Sequence, residues 1–90
     1  MVVLPAELTH AQAPAFCRML AEALRRHPES TVVADAAALE RFDSSALAVL
    51  LECRREALAG GKTFSVARMP QRLRELAKVY GVAELLPAAP

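Results

Sequence analysis

A single α/β domain spanning residues 1–90, built on a small, mostly parallel β-sheet with helices, is the fold class the sequence predicts. Three features point to it. The run Thr31-Val32-Val33-Ala34-Asp35 is short, β-branched and without polar alternation, the mark of a strand covered on both faces in a parallel sheet. Strand-like runs alternate with segments whose apolar residues recur three and four positions apart, giving the order strand, helix, strand, helix, strand, helix (βαβαβα). The links are short, and right-handed crossovers between parallel strands then place the helices on the faces of one sheet.

The first strand is Val2-Val3-Leu4, which Pro5 stops. Thr9 and Gln12 have the spacing of a capping box, and the regular helix begins near Ala13, because Pro14 is accommodated only in a first turn. Phe16, Leu20, Ala23 and Leu24 share its apolar face up to the basic end Arg25-Arg26-His27, and Pro28 closes it. After the second strand, Ala36 to Arg41 is a connection with Leu39 directed inward, and Phe42 returns the chain to the core. From Ala46 to Ala59 a helical wheel gathers Ala46, Leu47, Leu50, Leu51, Cys53, Ala57 and Leu58 on one arc. Arg54 falls inside that arc. It either lays its methylenes along the core edge with the guanidinium in water or finds a buried partner such as Asp35. Gly60-Gly61 supplies a left-handed exit, Thr63 to Ala67 is the third strand, and Pro70 opens a last helix. Leu73, Leu76, Ala77 and Tyr80 share a face of that helix until Gly81, and the tail from Val82 to Leu86 tucks its leucines against the sheet.

Eleven basic and ten acidic residues leave a net charge near zero, so bulk electrostatics favour neither nucleic acid nor an acidic membrane surface. No apolar run approaches the roughly 18 residues of a membrane span, and the N-terminus lacks a secretion-signal pattern, so direct membrane insertion is not expected. Cys17 and Cys53 fall within helical apolar patterns, as packing thiols do, and His10 and His27 lie far from them, so neither a metal site nor a cofactor is expected.

The break Phe42-Asp43-Ser44-Ser45-Ala46-Leu47 carries the functional signal. Asp and Ser lead the N-cap ranking, yet one cap satisfies a helix start, and three cap-type residues in a row leave two side chains for solvent or a partner. In open parallel sheets, sites gather beyond the carboxyl ends of the strands, where both this turn and Arg68-Met69-Pro70 fall. Ser44 and Ser45 have no histidine or lysine beside them, and the chain has neither a Gly-x-Ser-x-Gly elbow nor a phosphate loop, so an enzyme is not expected. The most basic segment, with Arg68, Arg72, Arg74 and Lys78, is interrupted by Glu75 and reads as a solvated face or an interface rim.

These residues resemble the STAS domain family, shared by anti-sigma-factor antagonists and sulfate-transporter tails. Glu7-Leu8-Thr9 resembles the family's Gly-Glu-Leu-Asp turn with Ala6 in place of glycine, Val32 to Asp35 its central strand, and Asp43-Ser44-Ser45-Ala46-Leu47 its Asp-Ser-Ser-Gly-Leu signature with Ala46 in place of glycine. The ending Leu76-Ala77-Lys78-Val79-Tyr80-Gly81-Val82 is closest to the MlaB branch, STAS subunits of bacterial ABC systems that move phospholipids. The resemblance also implies that the usual first strand is lacking. An unpaired sheet edge would follow, open to a second copy in a homodimer or to a partner, unless the strand start is assigned wrongly.

The resemblance implies a non-catalytic binding module in one of two forms. As a transporter subunit it would be cytoplasmic, peripheral at the inner membrane through its complex, and would dock on the transporter ATPase. Ser44 then stands at the position of that branch's key hydroxyl residue, a threonine there, and Asp43, Ser45, Ala46, Arg68, Met69 and Arg72 complete the contact set. As an anti-sigma-factor antagonist, it would have Ser44 or Ser45 phosphorylated by a partner kinase, and the added charge would release the partner. The MlaB-like ending and the altered signature glycine favour the transporter form. In a third reading Asp43 only caps the helix and the serines solvate its first turn.

Overall fold

The computed structural model describes residues 1–90 and orders the chain as β1 (Val2–Val3), β2 (Glu7–Leu8), α1 (Ala13–Arg25), β3 (Thr31–Asp35), β4 (Arg41–Phe42), α2 (Ser45–Ala59), β5 (Thr63–Ala67) and α3 (Gln71–Val79), followed by a 3-10 turn (Ala83–Leu85). The three principal strands form one parallel sheet in the order β1-β3-β5. Its register sets Thr31 opposite Thr63 and Asp35 opposite Ala67, while Val2 and Val3 face Ala34 and Asp35. The α/β class and the alternating order stand as expected, with one addition. β2 and β4 pair in parallel as a separate two-residue ribbon, Glu7 opposite Arg41 and Leu8 opposite Phe42.

The sheet is covered unequally, which corrects the expectation of two fully buried faces. Val32, Ala34, Phe64 and Val66 are buried, whereas Val33 and Ser65, on the alternate positions, are half-buried. One core of nineteen residues joins these strands to Leu20 and Leu24 of α1, Leu50 and Cys53 of α2, and Leu73 and Ala77 of α3. α1 packs along α2, and α2 packs on β5.

The helix ends follow local chemistry. Gln12 Oε1 accepts from the Thr9 backbone N–H at 2.8 Å and from the Thr9 hydroxyl at 2.6 Å, the reach-back half of a capping box. The regular helix starts at Ala13 with Pro14 in its first turn. Lys62 Nζ donates to the carbonyls of His27 and Glu29 at 2.7 and 2.9 Å, neutralising acceptors left over beyond the end of α1. α2 leaves through Gly60 and then Gly61, whose φ of 75° is the left-handed step that glycine takes without a Cβ clash. Pro70 (φ −58°, ψ 144°) caps α3 from just outside it, rather than standing first inside.

Several apolar assignments shift. The buried arc of α2 is rotated toward Val49, which is fully buried, and away from Leu58, which is 48% exposed. Tyr80, expected on the inner face of α3, is its C-cap and is 59% exposed. Of the tail leucines only Leu86 is buried, and Leu85 faces outward. The tail does reach the sheet. Val66 N–H donates to Pro87 O at 2.8 Å and Ala89 N–H to Val66 O at 2.9 Å, which covers the free edge of β5 and leaves β1 as the other outer strand. No helix is long and apolar enough to cross a membrane.

Candidate functional site

Two sequence motifs 34 residues apart meet at the start of α2. The β2–β4 pairing sets Leu8 beside Phe42, and the exposed side chains of Glu7 and Arg41 approach to 3.4 Å across it. The chain after β2 then delivers the His10 backbone N–H to Asp43 Oδ2 at 3.2 Å, while Asp43 Oδ1 accepts from Ser45 N–H at 2.8 Å. Asp43 therefore acts as the cap of α2. Its main-chain carbonyl also accepts from Ala46 N–H at 3.0 Å, closing the first turn. These N–H donors, Ser45 first, hold the Asp43 carboxyl below the usual carboxylate range, so it is ionised at neutral pH.

Ser44, by contrast, is exposed and helical in backbone (φ −61°, ψ −16°), and its hydroxyl makes no capping bond. Its carbonyl is already engaged by Leu47 and Ala48 N–H groups at 3.1 and 3.3 Å. The side chain is thus the one hydroxyl of the signature both exposed and uncommitted, and Ser45 beside it is half-buried. Ala46 of the expected contact set is fully buried under the first turn. A small residue is required there by packing.

On the α3 side, Arg72 lays its guanidinium over the Phe42 ring at 4.4 Å from the centroid, a cation–π contact that ties α3 to the residue preceding Asp43 in the chain. Phe42 is the shared element, since its backbone is in β4 and its ring supports Arg72. Met69 is half-buried and packs on the core. Arg68 is committed elsewhere. Its φ of 54° turns the chain sharply after β5, and its guanidinium forms a two-bond ion pair with Asp35, Nε to Oδ1 at 3.1 Å and Nη2 to Oδ2.

Asp35, 8% exposed, is the single buried charged residue. Its Oδ1 also accepts from Ala37 N–H at 3.0 Å, and its carbonyl accepts from Leu4 N–H at 2.9 Å. The Arg68 hydrogen bond, then the Ala37 N–H, keep the Asp35 carboxyl below its ordinary range. Arg68 rather than Arg54 is therefore the partner of Asp35, and the arginine is a brace behind the site. No group of three or more His, Cys, Asp or Glu side chains lies close enough to hold a metal ion.

The structure thus joins Asp43, Ser44 and Ser45 in the first turn of α2, with Arg72 attached through the Phe42 ring and His10 as a neighbour that the motif spacing did not announce. A parallel α/β sheet with a polar helix N-terminus beyond its carboxyl ends, next to a strand-and-turn that carries Glu7-Leu8-Thr9, is a STAS-like arrangement. Comparison with family models agrees. The model described as Mlab, STAS domain matches residues 1–87, and the chain belongs to that family. A search of curated proteins finds no match. STAS domains are in general non-catalytic binding domains, and membership supports a binding or regulatory role exerted through protein contacts.

Proposed function

We propose that this domain is the non-catalytic regulatory subunit of an ABC-type transport system for phospholipids or related apolar solutes, docked on the cytoplasmic ATPase at the inner membrane. The contact is made by the N-terminus of α2. The observation that carries this reading is the exposed, uncommitted hydroxyl of Ser44, next to the anionic Asp43 cap, in a chain matched almost end to end by the Mlab STAS model. A hydroxyl there donates one hydrogen bond and accepts others, and its loss leaves partner groups unpaired in a desolvated interface, at a cost of about 1–3 kcal/mol. Ser45 and Met69 border the contact, and Arg68 supports it through Asp35.

The test is affinity purification of the tagged domain from its own cells. Recovery of an ABC ATPase, lost or weakened at least tenfold with Ser44→Ala and Ser44→Glu, supports the reading. A genomic neighbourhood that lacks permease and substrate-binding components, together with no ATPase recovered, refutes it.

One observation favours a second reading. The same free hydroxyl is open to a kinase, and a phosphate on it would set about −1.5 to −2 charges next to the Asp43 carboxylate, enough to expel an acidic partner surface. That is an anti-sigma-factor antagonist switched by phosphorylation of Ser44 or Ser45. Recovery of a kinase with phosphate on either serine decides for it.

A further inference from the structure

The apolar arcs of α2 and α3 are wider than the parts of them that are buried, and the excess on both helices borders one gap. On α2, Leu47, Leu51, Arg54 and Leu58 recur four and three positions apart and form one stripe. It lies on the flank away from α1, because Glu56 and Ala59, on the other flank, line a cleft with Leu24 and Arg25 of α1. On α3, Arg72, Leu76 and Val79 form a matching stripe, with Tyr80 at its end. That stripe is turned toward α2. Arg72 reaches the Phe42 ring just before α2 begins, while Arg74, Ala77 and Lys78, on the opposite flank, face the C-terminal tail. The strand order β1-β3-β5 with right-handed crossovers sets the helices side by side as α1, α2, α3. α2 packs on α1 and on β5, and no comparable packing joins it to α3. A trough is left between them, about 10 to 16 Å long by the rise of the two stripes. Half-buried Leu51 and Leu76 form its floor, and Leu58, Val79 and Tyr80, which are 48%, 81% and 59% exposed, form its walls.

Two cations stand in these stripes without a carboxylate. Neither Arg54 nor Arg72 belongs to an ion pair of the molecule, whereas Arg55, beside Arg54, pairs with Glu52 and Glu56. Glu75 on α3 accepts from Gln71. Both walls are helices whose interior backbone groups are already bonded, so a strand laid here would leave its own N–H and C=O groups unpaired. A helix arrives with its backbone satisfied and packs its ridges between the two rows. A second copy of this domain would set Arg54 and Arg72 against the same two cations. We propose, on the reading of the domain as docked on an ATPase, that an amphipathic helix of that ATPase lies in this trough, its apolar stripe on Leu58, Val79 and Tyr80 and its carboxylates on Arg54 and Arg72. This is helix-in-groove recognition, read by anchors three and four residues apart. The trough begins at Phe42, which adjoins Asp43 and Ser44 in the chain, so the two contacts are continuous.

The test uses the whole chain and the ATPase it recovers from its own cells, with affinity measured on the purified pair. The double variant L58E/V79E sets carboxylates against an acidic helix and is expected to weaken binding at least tenfold. Val3→Glu, at a residue also apolar and exposed but on β1, is expected to leave the affinity within twofold. Arg54→Glu should weaken binding, and Arg54→Lys, which keeps the charge, should restore it. A photoreactive benzoylphenylalanine in place of Val79 should cross-link one ATPase segment in which apolar residues recur three and four apart beside Asp or Glu, and it decides the case in which the double variant fails to fold. Full affinity of L58E/V79E beside loss in Ser44→Ala, or cross-links to a basic segment, would overturn the trough and leave ATPase docking standing. A wild-type domain that recovers no ATPase overturns both.

Discussion

Arg68 leaves β5 in a left-handed conformation and grips Asp35 at the end of β3 with two parallel hydrogen bonds, so the connection into α3 is held by an ion pair between neighbouring strand ends. An L-residue at positive φ is held there only if its surroundings over-determine it, and here the Asp35 pair does so. The two effects separate by mutation. Arg68→Ala loses the pair and keeps the Cβ clash, whereas Arg68→Gly loses the pair and relieves the backbone. Thermal unfolding is expected to rank the wild type above R68G and R68G above R68A, by several degrees at each step. An R68G that melts below R68A would show that the turn carries no strain.

Acid sensitivity follows from the same pair and from the cap. Asp35 and Asp43 both titrate below their ordinary value in the fold, the first through Arg68 and the second through the Ser45 N–H. A depressed carboxyl binds fewer protons folded than unfolded. Its stabilisation is therefore fully present above the unfolded pKa, about 3.9, and is lost as pH falls through the folded value. Urea unfolding should show no contribution from these groups to pH dependence between about pH 7 and 5 and a steep loss below about pH 4. In Asp35→Asn the acid limb becomes shallower, while stability at neutral pH is lower because Arg68 has lost its carboxylate.

Neighbouring residues of the signature divide structure from recognition, which gives them opposite mutational profiles. Asp43 bonds two backbone N–H groups, whereas the Ser44 hydroxyl makes no capping bond. Ser44→Ala is expected to change unfolding free energy by less than about 0.5 kcal/mol, as an ordinary surface substitution does. Asp43→Ala is expected to destabilise clearly more than that. If ATPase docking depends on this helix start, S44A weakens the complex at full fold stability, and chemical denaturation run beside the pull-down separates the two effects.

Much of this was legible in the chain, and the remainder was not for identifiable reasons. The long helices write their period into the sequence, so Leu50 and Leu73 point inward as read, whereas the unalternating run Thr31 to Asp35 hides the one-sided cover that leaves Val33 half-buried. The two-residue strands Glu7–Leu8 and Arg41–Phe42 are shorter than any period and exist only as a pair, so no local signal announces them. The Asp35–Arg68 brace depends on strand register: Asp35 faces Ala67, one residue before Arg68, and a register is fixed by packing rather than by composition. The signature's charge and hydroxyls were read correctly as a helix start, but not the burial of Ala46 or the hold that Phe42 has on Arg72, both of which need the third dimension.

The rotation of the α2 arc gives a direct check on packing. Leu50 is fully buried in the core and Leu58, which shares its apolar character, is half in solvent. Leu50→Ala removes buried methylenes and leaves a cavity, at an expected cost of about 2–5 kcal/mol. Leu58→Ala should cost less than about 1 kcal/mol, within the range of surface changes. Denaturant midpoints at constant m-value provide the comparison, and similar losses at both positions would restore the original arc.

Cys53 reports on the same core through its thiol. It is 1% exposed, and desolvation pushes its pKa up to about 12, whereas Cys17, half-buried on α1, is raised mainly by its own burial. The thiolate is the reactive form, so folded Cys53 is shielded both sterically and chemically. Iodoacetamide at pH 8 should alkylate Cys17 first and Cys53 only as fast as the domain opens, with peptide mass spectrometry resolving the two sites. A raised thiol pKa also contributes stability that is fully present below the unfolded value, about 8.5, and is lost as pH rises toward the folded one. Unfolding free energy should therefore decline above about pH 9 in the wild type and less steeply in Cys53→Ala. Equal labelling rates at the two cysteines in the folded domain would mean that α2 opens locally, away from the α1 contact, without global unfolding.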